Sequence, residues 1–285
     1  MSISSLRQRS YVRTDCELNA LMDQIRHDEI YCARVRAPGA SNDDMRLSVR
    51  LAGTEGQRVL ARTLVNRMYA WRGYGSDHQL PERETHSTFT ASIDDQVVGT
   101  ITLAVDSPTG LAADAIFRDE INSFRRVPGA QVCELTKLAF DTAIPSRELL
   151  ACLFHVVFIY GQRSHRCTDL FIEVNPRHRR FYEAMLGFKP IGEVKNNSSV
   201  DAPAQLMWLR VSDIGDQIKS YAGRKEHANV RSLYPFFLSG HDESHVQNRL
   251  FRSVGGRNGC HRLVQRMDRS RWASFSSQGM MQATQ

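Results

Sequence analysis

An α+β fold is predicted by the way strand-like and helix-like patterns succeed one another along the 285 residues, and three observations carry that reading. The apolar run Thr168–Val174 passes straight into a sharply bounded helix: Asn175 is a good N-cap, Pro176 suits a first turn, and Gly187 can leave the helix left-handed. Thr88–Ile93 and Gln96–Val105 flank Asp94-Asp95 as the two strands of a hairpin. Ser146–Arg163 is apolar on most sides (Leu149, Leu150, Leu153, Phe154, Val156, Val157, Phe158, Ile159), so it is predicted as a buried helix.

The remaining elements follow in order. Leu18, Leu21, Met22 and Ile25 recur at helical spacing, which predicts an amphipathic helix over Cys16–Tyr31. Ala37–Asp44, with Pro38, Gly39 and Ser41, reads as a linker, so residues 1–45 are set apart from a main domain over 46–212. Leu47–Ala52 is the first strand, and Thr54 caps a helix reaching Trp71 with Val59, Leu60, Leu64 and Met68 on its buried side. Leu111–Phe124 is a helix, Ala130–Phe140 a strand, and two further strands lie near Pro190–Val194 and over Ala204–Val211. Residues 213–285 form a C-terminal extension in which the pattern thins, with a helix at Asp213–Tyr221, an apolar patch at Leu233–Leu238 and a basic, disordered tail.

Composition bounds the class. At 41% hydrophobic the chain can bury a sizeable core; the N-terminus has no apolar leader and no window approaches 18 apolar residues, so a soluble, unexported, cytoplasmic protein with no transmembrane segment is expected. Six scattered cysteines form no CxxC pair and no zinc spacing, which argues for free thiols and no metal. Seven arginines and one acid between Arg249 and Arg271 carry a local +6, equal to the formal charge of the whole chain. A tail of that kind, 249–271, suits an acidic protein, an anionic membrane surface or nucleic acid, or stays solvated with no partner.

The strand-to-helix unit ending in Phe181-Tyr182 and Leu186-Gly-Phe188 resembles the last block of the GCN5-related N-acetyltransferase (GNAT) superfamily. The likeness covers roughly Arg46–Val211 and is nearest to the long-chain N-acyl amino acid synthases, the N-acyltyrosine synthase group, and more distantly to the acyl-homoserine lactone synthases. Three further segments carry it: Asn66-Arg-Met-Tyr-Ala-Trp-Arg-Gly-Tyr74, Val97-Val-Gly-Thr-Ile-Thr102 with the helix after it, and Cys133-Glu-Leu-Thr-Lys-Leu-Ala-Phe-Asp141. Lactone synthases have arginine where this chain has Thr102 and Lys137, which speaks against lactone formation. The resemblance implies a mixed, mostly antiparallel central sheet with flanking helices and a splay between the fold's fourth and fifth strands, here Ala130–Phe140 and Thr168–Val174. It also implies a substrate site from Arg67, Tyr69 and Tyr74, from Thr136, Lys137, Leu138 and Phe140 on the central strand, and from Arg147 and Asn175 at helix starts.

Residue chemistry gives that site its roles. An amine attacking a thioester sheds protons while negative charge gathers on the carbonyl oxygen. On an extended strand Val132, Glu134, Thr136 and Leu138 share one face, so Glu134 sits among apolar neighbours, its pKa raised by burial, and suits a general base; the alternative is an ion pair with Arg67 or Lys137. Backbone N–H groups near Leu138–Phe140 could receive the oxyanion if the strands part. Tyr182, by resemblance, protonates the departing thiolate; otherwise it is a half-buried aromatic. Asp141–Glu148 contains no glycine, whereas acetyl-coenzyme A users place a glycine-rich pyrophosphate loop here. A donor on acyl carrier protein needs only one phosphate satisfied, and Arg147 suits that. The basic first turn Arg177–Arg180 opposes the helix dipole unless an anion docks there, which an acidic carrier protein would supply.

The function expected from these residues is transfer of a fatty acyl chain from acyl carrier protein to the amino group of an amino acid, with an acyl-phosphopantetheine thioester as co-substrate and no cofactor. The alternatives are an acyl-coenzyme A-dependent N-acetyltransferase of a small amine, a non-catalytic acyl-carrier-binding module, and a nucleic-acid-binding protein.

Overall fold

The computed structural model describes residues 29–36, 44–141, 143, 146–224, 226 and 231–255. The strands are β1 (Glu29–Arg36), β2 (Asp44–Leu51), β3 (His86–Ile93), β4 (Gln96–Val105), β5 (Val132–Phe140), β6 (Asp169–Val174), β7 (Lys189–Asn197) and β8 (Ala202–Arg210). The helices are α1 (Glu55–Trp71), α2 (Asp114–Arg125), α3 (Arg147–His165), α4 (Arg179–Leu186), α5 (Val211–Tyr221) and α6 (Gly240–Gly255). The strands lie in one sheet in the order β1-β2-β3-β4-β5-β6-β8-β7, antiparallel throughout except for the parallel pair β5–β6. This is the α+β architecture with a mixed, mostly antiparallel central sheet and flanking helices that the sequence predicts.

Helices cover both faces. Against one face pack α1, through Ala61, Leu64, Val65 and Met68, and α2, through Phe117 and Ile121. Against the other pack α3, α5 and the C-terminal segments in one larger cluster. Thr54 closes a capping box with Gln57 at the start of α1, as its sequence suggests. The buried stripe of α1 differs from expectation, because Val59 and Leu60 are 38% and 55% exposed. The phase set by Ala61, Leu64, Val65 and Met68 leaves both on the solvent side.

Two expectations about the ends of the chain are corrected. Glu29–Tyr31, placed in a helix by its spacing, belongs to β1, which pairs with β2 and contributes the buried Ile30; the rest of that helix lies outside the described residues. The extension after 212 is built into the core, since Tyr234, Phe237 and Leu238 around a short 3-10 turn, and Val246 and Leu250 of α6, join the larger cluster. Arg249, placed in the tail, sits on α6 and donates from Nη1 to the Glu29 carbonyl at 3.2 Å; the basic run from 256 onward lies outside the described residues. Among the described residues no helix is long and apolar enough to cross a membrane.

Candidate active site

β5 makes the site by two irregularities. Its pairing with β4 slips between Thr100 and Thr102, which oppose Ala139 and Thr136 respectively, so β5 carries an extra residue. Lys137 sits in that bulge with φ +53, a left-handed conformation unusual for a residue with a side chain. Alternation inverts there: Val132 packs with the α2 cluster and Cys133 and Leu135 with the α3 cluster, but beyond the bulge Ala139 joins α1 and Leu138 and Phe140 join the α3 side. The expectation that Leu138 shares a face with Glu134 is therefore wrong. Strict period-two counting cannot anticipate an inserted residue.

The second irregularity is the splay. β5 pairs with β6 only from Val132↔Asp169 to Leu135↔Ile172, and from Thr136 onward it has no β6 partner although β6 runs on to Val174. The backbone of Leu138–Phe140 thus lies along the opened edge, where N–H groups could meet an oxyanion.

Glu134 stands in the second-last paired row, opposite Phe171, and is 2% exposed. Its Oε2 accepts from the backbone N–H of Ala112 at 2.8 Å and of Ala113 at 3.3 Å, just before α2. Burial pushes its carboxyl up to about 8, against those N–H bonds and with added repulsion from Glu173. The ion-pair alternative with Arg67 does not form; Arg67 Nη2 bonds Asp141 Oδ2 at 2.7 Å on the surface. Lys137 is close enough to Glu134 for their charges to interact, and burial holds its ammonium below the ordinary lysine range.

Aromatic groups gather at the mouth. The Lys137 ammonium lies 6.0 Å from the ring centroid of Tyr69, which meets Tyr74 at 6.0 Å and His78 at 4.8 Å, both edge-on. Arg177 closes the set from the other side of the gap, donating from Nη2 to the Tyr74 hydroxyl at 2.8 Å with its guanidinium 5.5 Å from that ring. Tyr182 of α4 packs edge-on to Phe188 at 6.0 Å, with Tyr69 among its electrostatic neighbours, and burial raises its phenol above the ordinary tyrosine range. Tyr69 comes from the α1 face and Tyr182 from the opposite cluster, so their approach marks where the splay opens the sheet.

The other expected site residues are placed less uniformly. Thr136 pairs with Thr102 beside the bulge, and Arg147 is exposed at the start of α3, where Ser146 caps by accepting the Leu149 N–H at 3.1 Å. Asn175 has its side-chain oxygen engaged in capping, accepting from the Arg177 N–H at 3.2 Å. One acid escapes the sequence reading. Glu173 follows the last β5–β6 pair on the Phe171 face of β6, half-buried, and accepts a hydrogen bond from Asn197 Nδ2. Burial raises its carboxyl and the Asn197 bond offsets part of that.

On the face opposite Glu134 lies an apolar pocket of about 40 Å³. Leu135, Phe154, Phe158, Leu186, Phe188 and Phe237 are among its walls. Phe154 and Phe158 come from α3, the helix whose apolar sequence predicts its burial.

Residues 61–210 match the family model described as N-acyl amino acid synthase FeeM. No curated protein matches the chain by sequence. Among solved structures, FeeM, an N-acyl amino acid synthase from uncultured soil microbes, is 30% identical with a TM-score of 0.55, covering 60% of this chain and 94% of its own. A putative N-acetyltransferase from Lactobacillus plantarum is 15% identical, covering 58% and 98%, with a TM-score of 0.43. The AHL synthase LasI is 12% identical, covering 60% and 91%, with a TM-score of 0.41.

Proposed function

The chain belongs to the N-acyl amino acid synthase FeeM family and is an N-acyltransferase; from that premise we propose that it moves a fatty acyl chain from the phosphopantetheine of acyl carrier protein to the amino group of an amino acid. The observation that carries this reading is the opening of the sheet beyond Leu135, with the buried carboxyl of Glu134 on one face and an apolar pocket on the other. An extended pantetheine arm can take the place of the missing β6 pairing, which sets its thioester beside Glu134 and directs the acyl chain toward the pocket.

Glu134 acts as the base for the amine, and the Leu138–Phe140 edge supplies N–H donors for the oxyanion. Tyr182 serves the sulfur by hydrogen bonding. A phenol raised by burial stays protonated beside a thiolate whose ordinary pKa is about 8.5, so donating a hydrogen bond is easier than surrendering the proton. Carrier protein is favoured over coenzyme A by the glycine-free start of α3 and by the exposed Arg177 and Arg180, which suit an acidic partner. The domain division, with a body over 46–212, belongs to the same proposal, amended by β1 and the packed extension.

The test offers the purified chain a matched acyl chain on acyl carrier protein and on coenzyme A, with a mixture of the twenty amino acids, and looks for amides by mass spectrometry. Amide formation at least about 10-fold faster from the carrier, weakening as salt rises, is expected. Amide formed only from coenzyme A thioesters overturns the choice of donor, and its absence with every amino acid overturns the choice of acceptor.

A further inference from the structure

The proposed reaction leaves unused a second carboxylate at the mouth of the splay, held by a residue from a different strand. Glu173 lies two residues beyond Phe171, the β6 partner of Glu134, and therefore on the same face and one pleat further along. Asn197, at the end of β7, donates its amide to Glu173 Oε1 and leaves the other oxygen without a bond to Asn197. Glu134 is bound on one oxygen by the Ala112 and Ala113 N–H groups. Each carboxyl is thus oriented by neutral donors, and among the described residues neither Glu134 nor Glu173 is in a salt bridge, whereas Glu29, Asp106, Asp114, Glu120 and Asp141 all have arginine or lysine partners.

Two carboxylates positioned in this way, on one face and beside an opening, form a receptor for a cation, with the Lys137 ammonium interacting with Glu134 from the bulge. We infer that Glu173 is the substrate-positioning residue that takes the acceptor into the site as an ammonium ion, held between Glu173 and Glu134. The inference rests on the acyl-transfer reading above and specifies its acceptor, a primary amine that arrives charged.

The proton balance follows. The ammonium carries three N–H bonds and the amide keeps one. Glu173 takes the first proton, which frees the nitrogen lone pair to form the C–N bond at the thioester carbon. Glu134 takes the second from the tetrahedral adduct, and the C–S bond breaks with its electron pair on sulfur. One of the two protons ends on sulfur as the thiol, and the other leaves to solvent, so amine cation and thioester yield amide, thiol and one proton. The free pair carries like charges that disfavour double ionisation, and the arriving cation removes that penalty. Binding of the amine therefore releases protons.

Glu173→Gln keeps an oxygen able to accept from Asn197 but has no charge, and Glu173→Asp keeps the charge. Steady-state kinetics of the full chain are run with the amino acid that wild type acylates, alongside calorimetric binding of that amino acid in two buffers of different ionisation enthalpy. In Glu173→Gln the KM for the amine should rise about 10- to 100-fold while the KM for the thioester stays within about twofold, and the proton release on amine binding should fall. Glu173→Asp should recover at least part of both. An unchanged amine KM in Glu173→Gln, or equal losses for amine and thioester, overturns the inference and leaves the acyl-transfer reading standing. If wild type itself forms no amide, the acyl-transfer reading falls and this inference falls with it.

Discussion

Glu134 holds a carboxyl where a charge is unfavourable, and that makes its contribution to stability depend on pH. Its folded value of about 8 lies above the usual unfolded value of about 4.3, so between these limits the folded state binds more protons than the unfolded one. Wild-type stability should therefore fall as pH rises from about 4.5 to about 8. Glu134→Gln removes that slope: its Tm, measured against wild type, should gain several degrees between pH 5 and pH 9, on the scale of roughly 2–4 °C per kcal/mol. The same substitution should cost about 100-fold or more in kcat, and the wild-type kcat/KM should climb along a limb centred near pH 8. Parallel melting curves for the two proteins across that range would refute the buried titration. Glu134 is legible in the sequence because Val132, Cys133 and Leu135 surround it, so an acid there has to be either paired or useful. Glu173 is hidden for the converse reason, since in Leu170-Phe-Ile-Glu-Val174 the apolar run is the dominant signal and an acid near a strand end usually faces solvent. Asn197, the partner that orients it, comes from the far hairpin, and no local pattern joins them.

At the scale of elements, regular periodicity made most of the fold readable. The hairpin, the buried α3 and the β6-to-α4 turn lie within a few residues of where their patterns put them. What periodicity could not supply is the bulge, because bulges with left-handed residues are signalled by glycine and here the position is Lys137. A lysine at φ +53 is strained relative to glycine by roughly 1 kcal/mol. Lys137→Gly should therefore be more stable than Lys137→Ala by about 1 kcal/mol in urea unfolding, with both losing the same ammonium. A larger stability for the alanine variant would mean that the bulge relaxes when the lysine is removed. The inverted alternation beyond 137 would then have a cause outside that one residue. The amphipathic spacing over Cys16–Tyr31 shows the opposite error, since its last residues enter β1 through a period-two pattern too short to outweigh a helical one.

Across the whole molecule, the family likeness stops at 210 and the core does not. Phe237 is 3% exposed, stacks on His155 of α3 at 5.0 Å between centroids, and walls the apolar pocket. The neighbouring Leu238 N–H donates to His155 Nδ1 at 3.0 Å, which pins this segment to α3. His155 can accept that bond because burial holds its imidazole neutral, at about 3. If the pocket takes the acyl chain, a segment outside the matched family region helps to set chain length. Phe237→Leu keeps the site apolar but leaves space, at a cost of about 1–2 kcal/mol and roughly 2–8 °C in Tm. Its preferred acyl chain should lengthen relative to wild type in competition among carrier-bound thioesters. Leu233→Ala is the control, because Leu233 is fully buried in the same cluster yet is not among the pocket walls; it should lower Tm without moving the preference. An equal preference in Phe237→Leu and wild type would assign the C-terminal segment to stability alone and would send the acyl chain elsewhere along the splay.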